Sequence, residues 1–154
     1  MGDRVLGPYR QGQEVELPLW IATHFVRMGY AKFKDEDQLT PRSLSTFQFK
    51  ETLQARQPSK LPRNFYFQLR RLLKDLRVQE LKDRSIAKDL DKARALGRDI
   101  ADARVKKIVS LAASGEHTID LTANLTVEEQ VLYEDIRKRV ESWKKDILGR
   151  EKDS

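Results

Sequence analysis

Apolar residues recur at three- and four-residue steps along most of the chain after residue 64. One series covers residues 65–76, and a second covers residues 86–111. A third series runs through Leu132, Ile136, Val140, Trp143 and Ile147. Because an α-helix repeats every 3.6 residues, these steps predict amphipathic helices. The weaker pattern at residues 77–83 leaves open one long helix or two helices.

Helix start and stop signals agree with this periodicity. All five prolines lie within the first 62 residues, and proline disrupts helix interiors. Thr40 followed by Pro41 is a favourable helix start, and Thr126 with Glu129 forms a capping-box pattern. Gly115 interrupts the second series. We therefore predict a long helical region over residues 38–154.

The N-terminal region has a different pattern. Residues 13–17 and 30–34 alternate polar and apolar positions, as half-buried strands do. Between them, residues 19–28 have helical spacing and end at Gly29. We predict a strand–helix–strand module in residues 1–37. The expected fold class is therefore mainly α (α+β): a helical bundle domain preceded by a small β-containing module.

Composition narrows the class of protein. Hydrophobic residues make up 39% of the 154 residues and charged residues 35%, so the core is lean. The absence of cysteine excludes disulfides, thiolate metal sites and cysteine nucleophiles. No apolar run reaches the length of a membrane helix, and the N-terminus lacks the apolar run of a signal peptide. We expect a cytoplasmic protein.

Candidate catalytic and metal-binding groups are sparse. His24 and His117 are far apart in sequence and have no partners at metal-ligand spacing. Asp89 and Asp91 would point in different directions on a helix, and the acidic residues 35–37 are typical of a linker. The chain contains no phosphate-binding loop, dinucleotide glycine motif or nucleophile elbow. We expect no enzyme activity, no cofactor and no metal.

Positive charge is concentrated in the middle of the chain. Residues 61–107 contain fourteen basic and seven acidic residues, whereas residues 108–154 are net acidic. The candidate polyanion contacts share one predicted helix and its start: Arg63, Arg70, Arg71, Lys74 and Arg77. These residues could contact phosphates. A solvated face, or ion pairs with an acidic partner subunit, is the favoured alternative.

Three successive aromatic residues begin the same predicted helix. Neighbouring helical residues differ by about 100°, so the three cannot all face one core. Packing within the core and packing at an interface both remain open, and the lean composition favours an interface. The candidate interface residues are Phe65, Tyr66, Phe67, Leu69, Leu72 and Leu73. We expect Trp20 and Trp143 to be core anchors.

Residues 12–22, GQEVELPLWIA, resemble the G-x-x-V-x-[LV]-P-L-W-[LI]-A signature of GINS complex subunits. The signature is of the type shared by the Psf-two and Psf-three proteins. Residues 62–69 are similar to the proline-then-aromatic helix entry of those subunits, and residues 125–133 resemble their last helical region. Small size, high charge and the absence of cysteine resemble the archaeal version.

This resemblance implies a small β-containing domain before an α-helical domain, and a non-catalytic scaffold to which no catalytic residues transfer. It further implies a 2:2 heterotetramer with a paralogous GINS subunit. The implied partners are the MCM helicase and a RecJ-like relative of Cdc-forty-five at the replication fork, with polymerase or primase as further contacts. The location would be the nucleoid, with contact to DNA through these partners. The alternative from the residues alone is a basic helical protein that binds DNA through residues 63–77.

Overall fold

The computed structural model describes residues 7–34, 38–115 and 119–149, and within these ranges the regular elements are all helical. The chain divides into two compact units, residues 1–37 and residues 38–154. None of the helices in the described ranges is long and apolar enough to cross a lipid bilayer.

The N-terminal unit contains one helix, α1 (Leu19–Arg27). Its inner residue Ile21 is buried, in agreement with the predicted apolar face. The two predicted strands are wrong, because residues 13–17 and 30–34 contain no strand. Val15, the central apolar residue of the first segment, is exposed, so the alternation has no buried face to stabilise it.

The C-terminal unit is a helical bundle. Its helices are α2 (Pro41–Leu53), α3 (Phe65–Glu80), α4 (Ala87–Ser114), the short α5 (Ile119–Thr122) and α6 (Val127–Leu148). A 3₁₀ turn, Arg84–Ile86, precedes α4. The chain therefore forms two separate helices, α3 and α4, and not one long helix through residues 77–83.

Side chains at the helix ends form the predicted caps. Thr40 begins α2 with its hydroxyl accepting from the Ser43 amide at 3.1 Å. Thr126 begins α6 in a capping box in which its amide donates to Glu129 at 2.9 Å. Gly115 ends α4 with a φ of +73°, a conformation that favours glycine. Local sequence therefore determines where these helices begin and end.

Helix α4 lies at the centre of the bundle. Its buried residues Leu90, Ala93 and Ile100 join a core cluster with α3 and the start of α2, and Ile108 and Leu111 join a second cluster with α6. Gly97 permits close packing of α3, because a Cβ there would lie 3.0 Å from Leu69 Cδ1. Helices α2, α3 and α6 are therefore each packed against α4.

Candidate functional site

Four charged side chains are buried together where α2, α4 and α6 meet. Arg104 and Lys107 lie on α4, Glu51 lies on α2 and Glu129 lies on α6. We call these four residues the ion cluster. Two positive and two negative side chains make it electrically balanced.

Arg104 is completely buried and uses all five of its N–H donors. Its Nε and Nη2 donate to the two carboxylate oxygens of Glu129. Its Nη1 donates to Glu51 Oε2 at 2.9 Å and to the Ser59 carbonyl at 2.7 Å, and Nη2 also donates to the Asn124 carbonyl at 3.0 Å. The planar guanidinium therefore fixes two helices and two loops in one arrangement.

The carboxylates of Glu51 and Glu129 also accept hydrogen bonds from other side chains. Glu51 accepts from Lys107 Nζ at 2.6 Å and from the Ser59 hydroxyl at 2.6 Å. Glu129 accepts from the Tyr66 hydroxyl at 2.6 Å. Among the described residues, no buried side-chain nitrogen or oxygen lacks a hydrogen-bond partner. The polar atoms of the cluster therefore bond to one another and to neighbouring groups of the chain, and these bonds hold the helices of the bundle together.

Hydrogen bonds keep both carboxylates ionised. Burial raises the pKa of Glu129, but bonds from Arg104, Tyr66 and Thr126 outweigh it and hold that pKa below the ordinary glutamate value. Burial likewise raises the pKa of Glu51, and bonds from Lys107 and Ser59 bring it below the ordinary value. Burial and the neighbouring Glu129 raise the pKa of Tyr66, so its hydroxyl remains a donor.

The lowered pKa values predict that acid weakens the fold. Below the ordinary glutamate pKa of about 4.3, the unfolded chain binds protons that the folded chain does not. The stability contributed by Glu51 and Glu129 is therefore present at neutral pH and is lost as the pH falls through their folded-state pKa values. We expect urea titrations to give a smaller free energy of unfolding at pH 3 than at pH 7.

The control for this prediction is Glu128→Gln, which alters the exposed neighbour of Glu129 and should retain the wild-type pH dependence. Glu129→Gln should be less stable at pH 7 and show a flatter pH dependence. An equal pH dependence in Glu129→Gln and wild type would contradict the role assigned to this carboxylate.

Of the four residues of the ion cluster, only Glu129 is predicted from the sequence, as the capping-box residue of α6. A further signal was present in α4. Arg104 is four residues after Ile100 and four before Ile108, so it occupies the buried register of the helix. The three- and four-residue spacing of the series over residues 86–111 also includes Ala103, but Ala103 is only half-buried. A cation in a core register, with buried acids on other helices, predicts an internal ion pair.

The candidate interface residues of α3 lie in different environments. Phe65 and Leu69 are part of the chain's own core. Phe65 packs edge to face against Phe47 and Tyr66, with ring centroids 5.9 Å and 5.3 Å apart. Tyr66 is half-buried and bound to Glu129, and Leu72 and Leu73 pack at the edge of the core. Phe67 is half-buried.

An apolar groove lies beside Tyr66 on the bundle surface. It has a volume of about 280 Å³ and is lined by α3, α4 and α6. Val105 and Leu132, which line it, are partly open to solvent. Arg70 and Glu128 also line the groove and place opposite charges in it.

The C-terminal end of α6 carries uncovered apolar residues. Helices α4 and α6 run parallel, because Arg104 contacts Glu129 and, further along both, Lys144 Nζ donates to the Ala113 carbonyl at 3.3 Å. Helix α4 ends at Ser114, whereas α6 continues to Leu148.

This geometry exposes Trp143 by 60% and Ile147 by 55%. The prediction that Trp143 is a core anchor is therefore wrong, since α4 ends before it can cover this part of α6. Trp20 in α1 is 76% exposed, so the same prediction is also wrong there.

The candidate polyanion contacts are mostly on the surface. Arg63, Arg70, Lys74 and Arg77 are exposed. Arg71 is half-buried and lies 3.7 Å from Asp75. The positive charge of residues 61–107 is smaller at the surface than the sequence indicated, because Arg104 and Lys107 are buried and neutralised in the ion cluster.

The described residues contain no group of three or more histidine, cysteine, aspartate or glutamate side chains placed to hold a metal ion. His24, Asp89 and Asp91 are exposed in the structure. His117 and the acidic residues 35–37 lie outside the described residues.

Comparison with known proteins identifies the helical unit. Searches of curated proteins and of solved structures give no significant match. The family model of the Sld5 type, described as the GINS complex protein helical bundle domain, matches residues 35–148. The matched range contains α2 to α6 together with the ion cluster and the groove. The chain therefore belongs to the GINS complex protein helical bundle domain family.

Proposed function

We propose that this chain is a non-catalytic structural subunit of an archaeal GINS complex, of the Psf-two/Psf-three type. The observation that carries the proposal is the family match over residues 35–148. The subunit would link the MCM helicase to a RecJ-like relative of Cdc-forty-five at the replication fork. It would pair with a paralogous GINS subunit as a 2:2 heterotetramer, with polymerase or primase as further contacts.

The assignment to the Psf-two/Psf-three type rests on a different part of the chain. The resembling segment, residues 12–22, precedes the matched range. It includes Pro18, which immediately precedes α1, and Trp20, which is exposed within α1. The segment therefore supports the subunit type separately from the helical bundle.

The surface of the helical unit supports a role in assembly. Large apolar side chains are exposed on both α4 and α6: Val105, Val109, Val131, Trp143 and Ile147. The ion cluster gives the bundle a rigid, fully satisfied polar interior beneath this surface. A rigid body with uncovered apolar residues suits a scaffold that completes its packing against other chains.

Co-expression with the paralogous subunit tests the proposal. We expect the two chains to co-purify and to give the mass of a 2:2 complex by light scattering. A chain of 18.0 kDa that stays monomeric and does not retain the paralogue would contradict the proposal.

Direct binding to DNA is the second candidate, favoured by the exposed cations Arg63, Arg70, Lys74 and Arg77. It predicts binding by the purified chain alone that falls steeply with salt, because each neutralised phosphate releases counterions. The combined Arg70→Ala and Arg71→Ala variant should weaken this binding, whereas Lys138→Ala on α6 should not. Millimolar binding at low salt, or no effect of the paired substitution, would exclude this candidate.

A further inference from the structure

We propose that the C-terminal end of α6 packs antiparallel against α6 of a second copy of this chain. The inference rests on the proposed function, because a 2:2 complex brings two copies into one particle. It names one contact within that particle and leaves the contact with the paralogue to other surfaces.

The apolar stripe of α6 extends beyond the end of α4, the helix against which its first part packs. Ile136 packs against the core cluster formed with α4. Val140, Trp143 and Ile147 continue the same stripe at steps of four, three and four residues. This alternation is the spacing of a two-helix seam. Ile136 and Val140 are each only half-buried, and Trp143 and Ile147 are exposed.

The stripe is complementary to itself when two copies run antiparallel. In the register expected of an antiparallel seam, Val140 lies opposite Trp143 of the second copy, and Ile136 lies opposite Ile147 of the second copy. A two-fold axis that passes between residues 141 and 142 of both helices exchanges the two copies. Each contact is therefore formed twice, once from each copy. Such an isologous arrangement closes on itself as a dimer.

Charge favours this antiparallel alignment. Arg139 and Asp146 are exposed, and they lie on the same side of α6, two turns apart. About 10 Å of helix separates them, so they do not pair with each other within one chain. In the antiparallel register, each lies beside the oppositely charged residue of the second copy. A parallel alignment would instead place Arg139 beside Lys144 of the second copy, which carries the same charge.

The opposite side of the stripe is already engaged within the chain. Lys144 donates to the Ala113 carbonyl at the end of α4. Arg137 pairs with Glu134 and Glu141, each at 2.9 Å. The second copy is therefore expected to approach from the side of Arg139 and Asp146.

A charge-swap series in the full chain tests the contact. The wild-type chain should dimerise reversibly in sedimentation experiments with a Kd of about micromolar, as expected for a small interface. Arg139→Asp and Asp146→Arg should each weaken dimerisation by about tenfold, through like charges facing each other. The combined variant should restore it. Lys138→Asp, with the same charge change on the opposite face, is the matched control and should dimerise as wild type does.

Tryptophan fluorescence provides a second measurement. Trp20→Phe leaves Trp143 as the only tryptophan. Its emission should shift to the red on dilution, with the same midpoint as the sedimentation result. Circular dichroism of each charge variant checks that the helices remain folded.

Several outcomes would overturn the inference. These are a wild-type chain that stays monomeric at all concentrations, a combined variant that is not restored, or a Trp143 emission that does not depend on concentration. If the single variants instead lose the paralogue in co-expression, the paralogue covers α6. Retention of the paralogue by all variants, without rescue by the combined variant, would refute this contact and leave the proposed function intact.

Discussion

Arg104→Met is expected to lower the free energy of unfolding by about 3–5 kcal/mol. The methionine side chain fills much of the same space but donates no hydrogen bond. Glu129 would lose two charge-assisted bonds and Glu51 would lose one. Lys107 would then be the remaining cation among two buried carboxylates. Since small domains are stable by only about 5–15 kcal/mol, the loss should be evident in urea titrations.

Two variants control this prediction. Arg98→Met changes an exposed arginine on the same helix, and we expect an effect within about 0.5 kcal/mol. Adding Glu129→Gln to Arg104→Met leaves Lys107 paired with Glu51, so the remaining buried charges balance, and this variant should recover part of the lost stability. Arg104→Met with wild-type stability would mean that the ion cluster does not hold the helices together.

The cluster also explains which parts of the bundle could be predicted from sequence. A helix end depends on residues that are neighbours in sequence. Thr40 and Thr126 therefore predict the starts of α2 and α6, and Gly115 predicts the end of α4. The pairing of Glu51 with Arg104 joins positions 53 residues apart. No local pattern specifies such a pairing, although the register of Arg104 in α4 indicates a buried cation.

The N-terminal error has a different cause. Alternation over residues 13–17 indicates a strand only if one face is buried, and sequence alone does not show whether a second strand or a core is present to bury it. Val15 is exposed, so the pattern has no energetic consequence there. The helical spacing of α1 was the more reliable signal, since the buried Ile21 lies on its predicted face.

Periodicity also does not identify the chain that covers an apolar stripe. Leu132, Ile136 and Trp143 belong to one series, yet Ile136 packs on α4 and Trp143 is exposed. The length of α4 decides this difference, because α4 ends before it reaches Trp143. The lean composition of the chain is consistent with an apolar surface that other chains complete.

Phe65→Ala is expected to destabilise the isolated chain by about 3–5 kcal/mol, as for other buried aromatic residues. Phe65 is fully buried among Phe47, Tyr66 and the core of α4. Its removal would leave a cavity at the start of α3. Because Tyr66 is the next residue, the cavity would also disturb the hydrogen bond from its hydroxyl to Glu129.

The matched control is Phe67→Ala, two residues along the same helix and only half-buried. We expect it to cost about 1 kcal/mol in the isolated chain. Two measurements distinguish a core residue from an interface residue. The first is the free energy of unfolding of each variant alone, and the second is its retention of the paralogous subunit. If Phe65→Ala left the isolated chain stable and impaired only assembly, Phe65 would be an interface residue. The full burial of Phe65 and its edge-to-face contacts with Phe47 and Tyr66 argue for the opposite result, because both partners belong to the same chain.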